Sequence, residues 1–148
     1  MNTMYQHILI ATDFSKHCSA VAHKGRQLAQ CFDAQLSIIH VVDNLPISDA
    51  AYGPIIPFDG DLTEEIMTTS RQRLQKLAAE VQISEDLQWL EIGSPKIEII
   101  RIADEQAVDL IVVGSHGRHG LELLLGSTAN GVLHRAHCDV LAVRLQDS

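Results

Sequence analysis

The amino-acid sequence predicts one α/β domain, a three-layer sandwich in which a doubly wound, five-stranded parallel sheet, taken in the usual order 3-2-1-4-5, lies between helices. Three observations predict it. Five short runs read as strands, and the first two are almost wholly apolar, as strands buried on both faces are. Segments with apolar residues at helical spacing stand between them, and strands that alternate with helices are joined by right-handed crossovers, which makes the sheet parallel. The length, 148 residues, fits a single domain over 1–148, with no repeat, linker or low-complexity stretch to divide it.

His7-Ile8-Leu9-Ile10-Ala11-Thr12-Asp13, apolar until it ends on polar residues, is the first strand. Asp13-Phe14-Ser15 then opens a helix, with Ser15 as its N-cap and Val21, Leu28, Ala29 and Phe32 at helical spacing. Asp33-Ala34-Gln35 breaks it, and 36–42 is the second strand. From Asp43 to Gly60 the composition changes: Pro46, Gly53, Pro54, Pro57 and Gly60 punctuate eighteen residues, a loop long enough to be a lid, a docking surface or a mobile segment. Asp61-Leu62-Thr63-Glu64 starts a long helix with Ile66, Leu74, Leu77 and Val81 on one stripe, and residues 87–92, Trp89 included, form the third strand. Pro95 suits the first position of the next helix and Ser94 its N-cap, with Ile97, Ile100, Ile102 and Ala103 as the apolar face. Residues 109–114 are the fourth strand, a glycine-rich loop and a helix over about 127–136 follow, and Val140-Leu141-Ala142-Val143 is the fifth strand. Gly131 lies inside that last helix at a cost of about 1 kcal/mol against Ala; close packing and the approach of a ligand would each account for it.

Eleven Lys and Arg against nineteen Asp and Glu leave a formal charge of −8. That balance excludes sequence-independent binding to nucleic acid, which needs a basic face. It does not exclude a small anion held by backbone N–H groups at a helix N-terminus. Residues 1–7 contain no basic run followed by an apolar stretch, so no signal peptide is expected. No apolar run approaches the roughly 20 residues of a membrane span. Cys18, Cys31 and Cys138 are odd in number and lie far apart, which points to mostly buried thiols in a reducing cytoplasm rather than disulfides or a zinc site.

In a doubly wound sheet, ligands bind beyond the C-terminal strand ends where the strand order reverses. Asp13, Val41 or Val42, and Gly114 all fall at such ends. The segment after the fourth strand, Gly114-Ser115-His116-Gly117-Arg118-His119-Gly120, runs on to Gly126-Ser127-Thr128 at the start of a helix. Glycines let backbone approach a ligand closely, successive N–H groups can form an anion nest, and free amides with two hydroxyls at a helix start suit a phosphate. The same residues would also be explained if the glycines only turn the chain and Ser127 only caps the helix.

These stretches together resemble the universal stress protein (UspA) family. The opening 8–15, the second strand 36–41, the segment from Asp109 to Gly117, and the ending from Gly126-Ser127-Thr128-Ala129 through Cys138-Asp139-Val140-Leu141-Ala142-Val143 match it in order, and only about 43–90 does not stand out. The resemblance implies a Rossmann-like fold of the adenine nucleotide alpha hydrolase-like type. It also implies a stress-response protein that binds ATP, with Mg2+, or another adenine nucleotide as a regulatory ligand. By the same resemblance, Ala11, Thr12 and Asp13 border the adenosine, with Asp13 bonding sugar or base, and Val41 meets the adenine face. Val113 and Gly114 lie under ribose and phosphates, while Gly117, Gly126, Ser127, Thr128 and Ala129 hold the phosphates. Arg118 and His119 are further cationic candidates. Nucleotide-binding members place nine residues between the second and third glycines, whereas Arg118 to Leu125 is eight. The missing residue is either absorbed near Gly120 or Leu121 or closes the phosphate pocket, and the second outcome would leave a dimeric interaction protein that binds no nucleotide.

No catalytic residue is assigned. A Walker A lysine, a nucleophile elbow and the second acidic cluster of a receiver domain are all absent from the sequence, so the chain is expected to be at most a slow ATPase. His134 with His137, and His116 with His119, stand three apart, a spacing that could share a metal on a helix. Without H-E-x-x-H or a carboxylate partner, solvated pairs are expected and no metal is assigned. His40, on a buried strand, is expected to be a hydrogen-bonded core residue. Arg71, Arg73 and Lys76 with Glu64, Glu65 and Glu80 are read as a solvated face. Val140-Leu141-Ala142-Val143 carries neither charge nor proline to protect a sheet edge, so a twofold homodimer through that strand is expected, and the family resemblance implies the same interface.

Overall fold

The computed structural model describes residues 4–43, 60–115 and 126–145. The chain order is β1 (His7–Thr12), α1 (Cys18–Phe32), β2 (Gln35–Val42), α2 (Gly60–Glu80), β3 (Gln88–Ile92), α3 (Pro95–Glu105), β4 (Leu110–Gly114), α4 (Ser127–Arg135) and β5 (Asp139–Val143), with a 3-10 turn at Glu85–Leu87. The five strands are parallel, in the order β3-β2-β1-β4-β5. The order reverses between β1 and β4, the two central strands.

Every residue of β1 is buried, because helices cover both faces of the sheet. Alternation along the strand then sorts the core in two. Ile8 and Ile10 pack with Val21, Ala22 and Ala29 of α1 and with Leu74, Leu77 and Ala78 of α2. Leu9 and Ala11 pack with Ile99, Ile102 and Ala103 of α3 and with Ala129 and Val132 of α4. Burial of each large aliphatic side chain contributes about 1.5–3 kcal/mol before chain entropy is counted.

Three expectations are corrected. Ser15 does not cap α1: the helix starts at Cys18 with His17 at the cap position, because residues 13–15 are drawn into a turn of their own. Ile97 does not belong to the buried face of α3, which is Ile99, Ile102 and Ala103, and stands 51% exposed. The three cysteines are not mostly buried: Cys31 is exposed, and Cys18 and Cys138 are half-buried. Ser94 does sit at the cap position of α3, without a side-chain cap bond.

Two glycines are required by close helix contacts. A Cβ at Gly25 of α1 would stand 2.6 Å from Ile10 Cγ1 in the sheet beneath it. One at Gly131 of α4 would stand 2.7 Å from Lys96 Cδ and 3.0 Å from Lys96 Cβ on α3. Helix packing is therefore sufficient to explain the glycine inside α4.

The crevice where the central strands part

The two ladders of β1 end at different heights. Its pairing with β2 runs to Thr12 opposite His40, whereas its pairing with β4 stops at Ile10 opposite Val112. Beyond that last pair the central strands have no ladder between them. Ala11, Thr12 and Asp13 continue on one side, and Val113 and Gly114 on the other. This is the position at which a reversed strand order opens a crevice.

The third wall comes from α4. The Gly126 N–H donates to the Ser115 carbonyl at 2.8 Å, which brings the start of α4 to the end of β4. Ser115 also binds the far edge of the sheet: its N–H donates to the Val143 carbonyl at 2.8 Å, and its Oγ accepts the Leu145 N–H at 3.0 Å. Gly126 occupies the N-cap position with extended backbone and makes no side-chain cap bond, and the first turn of α4 holds no acidic residue. An N-terminus of that kind keeps its partial positive charge unneutralised by its own side chains.

Asp13 sits in a tight turn that closes the end of β1. Its Oδ1 accepts the Ser15 N–H at 2.9 Å, and Thr12 Oγ1 accepts the Phe14 N–H at 3.2 Å. Phe14 has φ of 59°, a left-handed conformation that costs a non-glycine residue about 1–2 kcal/mol. The cost is offset by its ring, which stacks on His40 with centroids 4.0 Å apart and lies beneath the Arg73 guanidinium at 5.1 Å. Arg73 is thus more than part of a solvated face. His40 is 6% exposed, and its Nδ1 donates to the Thr12 carbonyl at 2.8 Å, so it is the hydrogen-bonded core residue expected of it.

Ala11, Val41, Val113 and Ala129 belong to one core cluster, the one between the sheet and the α3/α4 layer. Val41, expected at the adenine face, is 6% exposed and offers a ligand little surface. Thr12 is buried, Asp13, Gly114, Gly126 and Thr128 are half-buried, and Ser127 is exposed. Gly117, Arg118 and His119 lie outside the described residues, as do His116 and the loop length at issue near Gly120 and Leu121. The role of Ser115 was not read from the sequence, where its only signal is its place directly after the strand-ending Gly114. Phe14 was missed because a left-handed phenylalanine has no sequence signature.

Away from the crevice, His137 Nδ1 stands 3.0 Å from Asp104 Oδ2, so it pairs with a carboxylate rather than with His134. Among the described residues, no group of three His, Cys, Asp or Glu is placed to hold a metal ion. Arg101 is held by Glu91, Glu98 and Glu105 at 2.7–2.9 Å. Burial, and after it the carboxylates of Asp104, Asp139 and Asp109, push the Cys138 thiol up to about 11. Burial, followed by Asp13 and Glu80, raises Cys18 as well. Neither thiol is an activated nucleophile. No described helix is long and apolar enough to cross a membrane.

Comparison with known proteins supplies the family. The model of the universal stress protein family matches residues 4–144. Two relatives from Coxiella burnetii, universal stress protein A homologs 2 and 1, are 41% and 39% identical over 145 residues, which cover 97% of this chain and 98% and 99% of theirs. The solved structure of the Methanocaldococcus jannaschii protein MJ0577 superposes with a TM-score of 0.79 at 27% identity, covering 98% of this chain and 99% of that one. At lower identity the same fold occurs in a universal stress protein in complex with cAMP (24%, TM-score 0.61, 94% and 96% covered) and in one from Archaeoglobus fulgidus in complex with dAMP (19%, TM-score 0.64, 93% and 97% covered). The crevice, the sheet order and these matches lead to one conclusion: the chain belongs to the universal stress protein family.

Proposed function

We propose that this protein binds an adenine nucleotide, ATP with Mg2+ in the first instance, as a regulatory ligand of a cytoplasmic stress response. The observation that carries the reading is the parting of β1 and β4 after Ile10 and Val112, with the N-terminus of α4 drawn to the opening by the Gly126–Ser115 bond. Adenosine would lie against Thr12 and Asp13, with the buried Ala11 and Val41 forming the wall behind them. Phosphates would meet Gly114, Gly117, Gly126 and the first turn of α4, Ser127, Thr128 and Ala129, where amides and the helix dipole favour anions. Val113 lines the floor. The cAMP and dAMP complexes of fold relatives support an adenine nucleotide as the ligand class. A net charge of −8 is compatible with it, because the contacts are N–H groups rather than a basic surface.

The protein would act as a homodimer. β5 is a sheet edge, and its Leu141 is 36% exposed, an apolar side chain on an edge strand with unpaired backbone groups. Light scattering on the eluting protein is expected to give twice the chain mass; a monomer at micromolar concentration overturns the dimer.

Calorimetry tests the ligand. ATP with Mg2+ is expected to release or absorb heat at one site per chain and to raise Tm. The absence of both at millimolar ATP overturns nucleotide binding. It would leave the second reading, a dimeric interaction protein, which the glycine loop shorter by one residue than in nucleotide-binding members favours.

A further inference from the structure

We infer that His40 is a positioning residue of the nucleotide site, fixing Asp13 by holding both of its chain neighbours. The inference rests on the reading of the crevice as a nucleotide site. On one side of Asp13, the Thr12 carbonyl accepts the hydrogen of His40 Nδ1 at 2.8 Å. On the other side, the Phe14 ring stacks on the His40 imidazole, 4.0 Å between centroids and 29° between planes. A carbonyl only accepts, so Nδ1 carries a hydrogen whether the ring is neutral or charged. His40 is opposite Thr12 in the last pair of the β1–β2 ladder, so the clamp is mounted on the sheet where β1 ends.

The arrangement matters because the turn is not one the chain would adopt unaided. Phe14 is left-handed at φ of 59°, and a phenylalanine stays there only when its surroundings hold it. The His40 ring and the Arg73 guanidinium, both in contact with the Phe14 ring, supply the hold. With residues 12 and 14 both fixed, the Asp13 backbone has one course, and its Oδ1 is set on the Ser15 N–H. A carboxylate placed in advance loses less entropy when a ligand donor, a ribose hydroxyl or the adenine amino group, comes to it. His40 touches no ligand itself and acts through Asp13.

Two readouts test this, one of them without ligand. In His40→Asn, which keeps a donor but loses the stack, amide exchange at Phe14 and Ser15 is expected to rise about tenfold against that at Leu9 and Ile10, and in Phe14→Gly, which keeps the left-handed backbone but loses the ring, exchange at Ser15 is expected to do the same. Unchanged exchange at these two amides in folded variants overturns the proposal. In the second readout, ATP affinity is expected to fall about tenfold in His40→Asn but less than about twofold when the same change is made in Asp13→Ala, because the effect passes through the missing carboxylate. Equal losses in both backgrounds mean that His40 is merely structural, and also overturn the proposal. If the wild-type protein binds no nucleotide, the functional reading falls, while the exchange readout still decides whether His40 sets the turn.

Discussion

The Gly126 N–H donates to the Ser115 carbonyl at 2.8 Å, and through this bond the start of α4 is joined to the end of β4. Ser115 makes two further bonds, to Val143 and Leu145, so one residue ties a central strand, a helix N-terminus and the edge strand together. The geometry of the proposed phosphate site and that of the β5 edge are set at the same point.

Replacement of Ser115 by Ala tests that junction. It removes the acceptor of the Leu145 N–H, and Leu145 is buried. The expected cost is about 1–2 kcal/mol, as for a buried donor left unpaired. In denaturant titration this appears as a lower midpoint with unchanged slope, and in hydrogen exchange as loss of protection at Leu145 before that at Ile10.

Gly126→Asp separates helix stability from ligand binding. Gly126 already has the extended backbone an N-cap needs, so an Asp there meets the backbone requirement and is expected to leave stability unchanged or to raise it by a few tenths of a kcal/mol. Its carboxylate would bond the same first-turn amides that a phosphate would use and would repel it. ATP affinity is expected to drop at least about tenfold, by calorimetry, in a variant whose Tm has not fallen. Unchanged affinity refutes the assignment of phosphates to the α4 N-terminus.

Gly25→Ala has opposing contributions. Ala is favoured over Gly in a helix interior by about 1 kcal/mol. The new methyl would, however, meet Ile10 Cγ1 at 2.6 Å and Cδ1 at 2.8 Å, in a side chain fully buried in the sheet. Overpacking of a tight core costs about 1–3 kcal/mol, so the net is a loss and a fall in Tm of several degrees. Ile10→Val, which removes the Cδ1 methyl, is expected to make Gly25→Ala less damaging than the sum of the two single changes.

The half-buried thiol predicts alkaline instability. Cys138 is pushed up to about 11, chiefly by burial and then by Asp104, against about 8.5 for an unfolded cysteine. Below the unfolded value both states hold the proton and nothing is lost. Between about 8.5 and 11 the unfolded chain releases it first and is favoured, so stability falls as pH rises through this window. Tyr5, raised by its hydrogen bond to Asp139, acts in the same direction. Cys138→Ala is expected to flatten the decline. At pH 8, iodoacetamide is expected to label exposed Cys31 well before Cys138, as read by mass spectrometry.

Much of this architecture was legible in the sequence because it depends on local pattern. Runs such as Ile8-Leu9-Ile10 and Leu110-Ile111-Val112-Val113 are apolar because both of their faces are covered, and the alternation of strands and helices then allows few topologies. Asp13 and Gly114 could be assigned to one crevice before the fold was seen, since each ends a strand on the same side of the sheet. The face of α3 differs from the expected one because four isoleucines, Ile97, Ile99, Ile100 and Ile102, leave the stripe ambiguous: Ile99 rather than Ile97 turns inward once the helix is laid on β2 and α4. The start of α1 differs from the expected one because Ser15, a good cap by residue type, lies in the turn ahead of the helix, where its amide donates to Asp13 and its carbonyl accepts the Cys18 N–H.

By itself, then, the sequence determined the fold class and the succession of strands and helices, because periodicity and turn residues act over a few positions. Only the tertiary structure decided where β1 and β4 part, that Ser115 is the junction, that Lys96 requires Gly131, and that His40 holds Thr12 and Phe14 around Asp13. These are contacts between residues distant in the chain, formed only when the sheet register and the helix positions are set, and no local pattern encodes them.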